Sequence, residues 1–258
     1  AEEAVRDMAT YGLIDANAEN LSFSSDSRQN PFYTQATSTS WQDLRSNASI
    51  VMYMNAYEDP RRASYFSKSG YDGIYVGVRA GIQNVTPTDY ATYSYPLFAE
   101  KDPVPVMYAS ESWFLRAEGA LLGWTMGDTA ENLYNTGVKT SLELWGNGSS
   151  YETYIASETA PALSYADPRN KHNVSDFGTA VSVKWADDGN ELVRIITQKW
   201  IANHMIGHEA WADVRRTGYP RLLQVVNNLS GGMWGNVDSS KGMRRLHYPQ
   251  SEYDNNRE

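Results

Sequence analysis

Two helix-forming runs joined by a very short turn constrain this 258-residue chain more than any other feature. The first is MYASESWFLRAEGALLGW, Met107 to Trp124, and the second is TAENLYNTGVKTSLELWG, Thr129 to Gly146. MGD sits in the turn between them, with Gly127 suited to ending the first helix and Asp128 to capping the second. So short a link folds the pair back as an antiparallel hairpin. Ala117, Ala120, Gly123, Ala130 and Gly137 recur at spacings that let the two helices approach closely. A lone hairpin cannot bury both of its faces, so further helices are expected against it.

The hairpin resembles one tetratricopeptide-type repeat, with small residues and aromatics at helical spacing. Other helices are expected along the sequence. One covers residues 1 to about 11, with Ala4, Met8 and Tyr11 along a stripe. Another starts near Ser40, a candidate N-cap, and runs through WQDLRSNASIVMYMNAY until Pro60 disfavours helix in the residue before it. The longest is read as unbroken from Glu191 to about Thr217, ended by Gly218. A short one is expected in YPRLLQVVNN, with Pro220 at a permitted early position, and another near Tyr151 to Ser157. Between them lie long, polar, turn-rich stretches: residues 15–40, most of 151–190, and the tail after about residue 228. YFSKSGYDGIYVGVRAGI alternates and is studded with glycine, which reads as short strands or an extended loop displaying Tyr65, Phe66, Tyr71 and Tyr75. Long loops of this kind are usually functional or mobile. The expected fold is mainly α: a tetratricopeptide-like helical repeat scaffold with long irregular loops and a minor β-hairpin. The length suits one large domain or two ordinary ones.

Charge and composition remove several function classes. Lys and Arg total 22 against 31 Asp and Glu, a net charge of −9, and no basic run stands out. Nucleic acid is therefore excluded as a partner, because neutralising phosphates needs clustered cations. The absence of cysteine removes disulfides, thiolate metal sites and cysteine nucleophiles together. No apolar run approaches the roughly 20 residues that span a bilayer. The chain opens on AEEAVRDMATYGLI, a helix already under way, and closes on the polar SEYDNNRE, which reads as a piece of a longer protein. The 18 Tyr and 8 Trp against 6 Phe favour side chains that join a flat apolar face to a hydrogen-bonding edge. That bias suits a surface gripping partly polar ligands, although core packing accounts for most of them. Six N-x-S/T sequons, at Asn20, Asn47, Asn84, Asn147, Asn173 and Asn228, are what chance gives in a sequence rich in Asn and Ser.

HMIGHEAWADVRR is the stretch that invites a catalytic reading, because His204 and His208 are four apart and Glu209 follows. A metal-dependent hydrolase would use those three residues. The order is wrong for it: zincins place the glutamate inside H-E-x-x-H, and the inverted pattern fails because Gly207 stands where the glutamate belongs. A third ligand is also needed, and His172 and His247 fall in loops. No metal and no cofactor are expected. No G-x-S-x-G occurs, and no histidine stands in a triad context. Asp213, Arg215 and Arg216 sit on a half-buried helix, where charges must be paired, so they are read as structural.

The same stretch carries a resemblance. GHEAWADVRRTGYPRL, Gly207 to Leu222, resembles the hallmark helix of the SusD/RagB family, and RRLHYPQSEYDNN, Arg244 to Asn256, resembles its closing motif. EDPRR at Glu58 to Arg62 resembles the family's central D-P-R motif, and FLRAEGALLGW its helix before the last repeat. The resemblance implies a structural part for Asp59, Arg61, Gly207, His208, Asp213, Arg215, Arg216, Tyr248, Pro249 and Glu252. It implies a non-catalytic surface lipoprotein of the bacterial outer membrane, lidding a SusC-like TonB-dependent transporter and capturing glycans, or in some branches peptides. It also implies that residues 1–258 form a single domain lacking the N-terminal repeats, the lipidated cysteine and the extreme C-terminus. Sugar rings stack on aromatic faces, so the expected ligand contacts are the loop aromatics Trp41, Tyr65, Phe66, Tyr71, Tyr75 and Trp234.

Overall fold

The computed structural model describes residues 2–25, 27–37, 44–231, 236–246 and 248–255. Ser40, Trp41, Trp234 and His247 lie outside the described residues. In sequence order the helices are α1 (Glu2–Tyr11), α2 (Pro31–Thr37), α3 (Ala48–Ala56), α4 (Arg62–Tyr65), α5 (Ala109–Leu121), α6 (Ala130–Leu144), α7 (Tyr151–Ile155), α8 (Glu191–Ala202), α9 (Gly207–Thr217) and α10 (Gln250–Asn255). Two small antiparallel sheets accompany them. β1 (Leu21–Phe23) pairs with β2 (Val104–Met107), and β3 (Ala162–Tyr165) pairs with β4 (Val174–Thr179).

The hairpin is α5 and α6, and small residues set its closeness. Gly137 lies against the Phe114 ring, where a Cβ would come within 3.0 Å of it. Helix α8 packs onto the same pair, so Phe114, Ala117, Leu133, Val138, Leu142, Ile195 and Ile201 share one buried cluster. Two details of the turn differ from expectation. The first helix stops at Leu121, before the left-handed Gly123, rather than at Gly127. The cap of α6 is Thr129, whose hydroxyl accepts from Asn132 N at 3.2 Å, while Asp128 braces it by accepting from Thr129 N and Asn132 Nδ2.

Other expectations are corrected by tertiary contacts. The helix expected from Ser40 begins instead at Ala48, where the Asn47 side chain accepts from Ser49 N at 2.8 Å. The unbroken helix from Glu191 to Thr217 is two helices. Between them Met205 adopts a left-handed φ of 76°, and α9 turns back so that Asp213 reaches Lys199 at 2.8 Å. YPRLLQVVNN is not helical. Its backbone donors go elsewhere: Leu223 N to Ser49 Oγ, Val226 N to Ala80 O and Asn227 N to Gly81 O. The β-hairpin lies at β3–β4, inside the segment read as loop, and the polar stretch at residues 15–40 holds β1 and α2.

Buried tyrosines join the loops to this core. Tyr53 OH donates to Arg221 O, Tyr57 OH to Val181 O, Tyr65 OH to Ile201 O, Tyr134 OH to Val183 O and Tyr165 OH to Gly77 O, at 2.7 to 3.1 Å. Their rings fill the core while their hydroxyls satisfy carbonyls that burial would otherwise orphan. Burial pushes the Tyr53 hydroxyl up to about 12, so it stays a donor.

At the centre is an ion pair with no solvent exposure. Arg61 Nε and Nη2 donate to the two oxygens of Asp59 at 2.9 and 2.6 Å. The same guanidinium donates to Ser141 Oγ on α6 and Gln198 Oε1 on α8, each at 2.9 Å, and Tyr154 OH on α7 donates to Asp59 at 2.7 Å. Removing one partner strands a buried charge. Arg61→Ala should therefore lower the unfolding free energy by about 3–5 kcal/mol. Ser141→Ala, which deletes a single acceptor, should lower it by about 1–3 kcal/mol. Urea denaturation followed by tryptophan fluorescence measures both, and an unshifted midpoint for Arg61→Ala would show that the pair does not hold the core.

Candidate functional site

Helix α3 and the loop after α4 enclose a cleft of about 520 Å³, closed at one side by β3. That volume falls within the usual range for small-ligand sites, roughly 300–1,000 Å³. Backbone geometry lays the loop down. Gly77 runs so close to the start of α3 that a Cβ would sit 2.7 Å from the Asn47 carbonyl, and Val78 pairs with Asn47 in a parallel bridge. The preceding turn uses Asp72 and Gly73, both at positive φ, and leaves Ile74 exposed at the rim.

The polar wall of the cleft is built from three residues. Asn55 on α3 donates from Nδ2 to Tyr75 O at 2.9 Å and accepts from Arg62 Nη1 at 3.0 Å. The Arg62 guanidinium lies over the Tyr75 ring, 4.8 Å from its centroid, a cation–π arrangement that fixes both groups. Lys68 is at the edge of the cleft. Among the residues expected from sequence, the structure brings Tyr75 into this wall. Tyr71 is half-buried nearby, edge-on to Tyr93 at 5.5 Å. Two expectations are corrected: Tyr65 and Phe66 are core residues, 0% and 2% exposed, and no ligand reaches them there. Their strand-like alternation belongs instead to the one-turn helix α4 and its exit, which point both rings inward. Trp41 and Trp234 lie outside the described residues. Sequence reasoning misses Asn55 and Arg62. The D-P-R-R signal points to Arg61, and helical geometry sends its neighbour outward.

The histidine pair is not a site. His204 is 8% exposed and stacks on Tyr65 at 4.0 Å with the rings 10° apart, flanked by Phe66 and Trp145. Helix α8 ends at Ala202, before His204, while His208 lies in the first turn of α9 and stands 68% exposed, 3.6 Å from Glu209. The four-residue spacing therefore places them on no common face. No group of three or more His, Cys, Asp or Glu able to hold a metal occurs among the described residues.

The remaining hallmark residues pack. Lys199 bridges Glu111 at 3.1 Å and Asp213 at 2.8 Å, all three nearly buried. Burial raises the Glu111 pKa, and although burial opposes the charge on Lys199, Glu111 and Asp213 hold its pKa above the usual value. Arg216 ties Asp213 to Glu118 on α5. Arg215 lies over Trp211 and donates to Arg244 O, and Trp211 Nε1 donates to Met243 O, so α9 anchors the tail. Gly207 opens α9 with free space where a Cβ would stand. Tyr248 lies exposed under Arg245, and Pro249 O accepts from Glu252 N beside α10. Above the ion network runs a second, apolar groove of about 890 Å³ with Leu115, Leu122 and Trp124 along it.

The helical scaffold thus carries a loop-walled cleft with an aromatic face beside fixed hydrogen-bonding groups. Comparison with known proteins gives the family. The family model for the SusD and RagB outer membrane lipoproteins matches residues 1–258. A SusD homologue from Bacteroides thetaiotaomicron is 41% identical, covering 99% of this chain and 53% of its own, with a TM-score of 0.87. One from Bacteroides uniformis is 39% identical, covering 99% and 55%, with a TM-score of 0.86. A chitin-binding SusD homologue from Flavobacterium johnsoniae is 38% identical, covering 99% and 53%, with a TM-score of 0.87. No curated protein matches. The chain belongs to the SusD-like family, whose members are binding proteins and not enzymes. It spans about half the length of these solved relatives. No helix among the described residues is long and apolar enough to cross a membrane.

His204 gives a pH test of the packing. Burial pushes its pKa down to about 3, against roughly 6.5 in an unfolded chain. The unfolded chain thus takes up a proton that the folded one refuses. The stability owed to neutral His204 is complete above about pH 6.5 and drains away as pH falls toward 3. His204→Phe should flatten the stability profile across that window by up to ~1.4 kcal/mol per pH unit. Denaturation midpoints measured across it check this, and parallel profiles would contradict the burial.

Proposed function

We propose that this chain is the cleft-bearing part of a non-catalytic nutrient-capture protein of the outer surface, taking up glycans for delivery to a SusC-like TonB-dependent transporter. The observation that carries this reading is the Asn55–Arg62–Tyr75 wall. An aromatic ring is held rigidly beside amide and guanidinium groups, which is what a sugar ring and its hydroxyls require. The 38% identical relative named as chitin-binding supports a saccharide over a peptide. Lipid anchoring at the cell surface follows from the family and is part of the same proposal.

Residues 1–258 are proposed as one domain that packs against further helical repeats of a longer protein, a reading supported by the solved relatives being about twice its length. The apolar groove along Leu115, Leu122 and Trp124 is the face offered to them, and it answers the hairpin's need for neighbours.

Titration of the full-length protein against a panel of oligosaccharides and peptides tests the reading. A saccharide should bind, and Tyr75→Ala should weaken it about tenfold, ~1.4 kcal/mol. Binding of peptides alone would move the protein to the peptide-capturing branch. Silence across the panel would end the proposal.

A further inference from the structure

We infer that the saccharide this cleft accepts is anionic, carrying carboxylate or sulfate groups. This rests on the capture reading above and adds the charge of the ligand to it. The first observation is a reversal of sign. The chain carries a net charge of −9, yet Arg62 and Lys68 both line the cleft and no Asp or Glu is among the described residues that line it. Asp72 lies in the rim turn but does not line the cleft. Asp167, next in sequence to the lining residue Ala166, is buried and taken up by Tyr93 OH and the backbone N–H groups of Arg169, Lys171 and His172.

The second observation is that these cations are unspent. Among the described residues neither Arg62 nor Lys68 has a carboxylate within ion-pair distance, whereas Arg61, Arg169, Arg194 and Arg216 all do. Only Nη1 of Arg62 is engaged, by Asn55 at 3.0 Å. The rest of its fork is left to meet a ligand. A planar guanidinium with two free donors on one edge matches a carboxylate or sulfate in bidentate geometry. Stacking on Tyr75 and the bond to Asn55 restrict its rotation, so little freedom is lost when an anion docks. A neutral sugar would leave the half-buried Arg62 guanidinium without a counter-ion. In a protein this acidic the positive cleft also concentrates an anion against the general repulsion of the surface.

Isothermal titration of the purified protein with oligogalacturonate, chondroitin sulfate oligosaccharide, chitooligosaccharide and oligoglutamate tests the inference. The two acidic saccharides separate carboxylate from sulfate, and binding of either one supports the proposal. Affinity for it should fall at least about tenfold between about 50 and about 500 mM NaCl, as screening shortens, and Arg62→Gln should lower it by a similar factor. Lys68→Glu reverses the charge of a cleft-lining side chain outside the core, so it reads the charge separately; it should weaken acidic saccharides by a larger factor than chitooligosaccharide. Preference for the neutral sugar, or insensitivity to salt and to both variants, would overturn the anionic assignment and leave the capture reading standing. Binding of oligoglutamate without any saccharide, or of nothing at all, would overturn both.

Discussion

Everything in this structure leans on the buried pairing of Asp59 with Arg61. Withdrawing two charges from water is costly, and the geometry offsets it only because every polar atom is answered. The carboxylate accepts from the guanidinium, from Arg61 N and from Tyr154 OH, and the guanidinium reaches Ser141 and Gln198. The partners come from the α3–α4 turn, α6, α7 and α8, which are distant in sequence. One saturated ion pair therefore fixes how the hairpin, α8 and the cleft-forming loop sit together. It also decides the next residue. With Arg61 drawn inward, the helical step turns Arg62 outward onto Tyr75, so the wall of the cleft is the reverse side of the core's main tie.

A second network repeats the device on the other side of α8. Lys199 holds Glu111 and Asp213, and Arg216 extends the run of charges to Glu118. It closes α9 against α5 and is the reason the helical path breaks between Ala202 and Gly207, with Met205 left-handed in the link. A straight helix would carry Asp213 away from Lys199. The sharp turn brings it back, and the local strain of a left-handed Met is offset by the buried contacts it allows.

What can be read from the sequence is what is local. The hairpin is legible because its signal, small residues and a short turn, is satisfied between its own two helices. The family hallmark is legible because its charges must be paired wherever they fall. The aromatic loops mislead where placement depends on distant partners. Tyr65 and Phe66 look displayed in sequence, yet Tyr65 is claimed by Ile201 O and by the His204 ring. Period alone cannot report that. The segment after Gly218 misleads for the same reason, since its backbone donors are taken by Ser49 and the 80–81 loop rather than by its own turns. Tyr75 is found on residue type alone, while Asn55 and Arg62 acquire their meaning only from being folded beside it.

The tyrosine hydroxyls carry a consequence for how such a protein changes over generations. Those of Tyr53, Tyr57, Tyr134 and Tyr165 each rivet a loop through a main-chain carbonyl. A carbonyl is common to all residue types, so the fastening makes no demand on which side chain the loop bears at that point. The loop layer can then exchange its residues between rivets while the helices beneath keep their register. The lining of the cleft can then be re-lettered without refounding the scaffold.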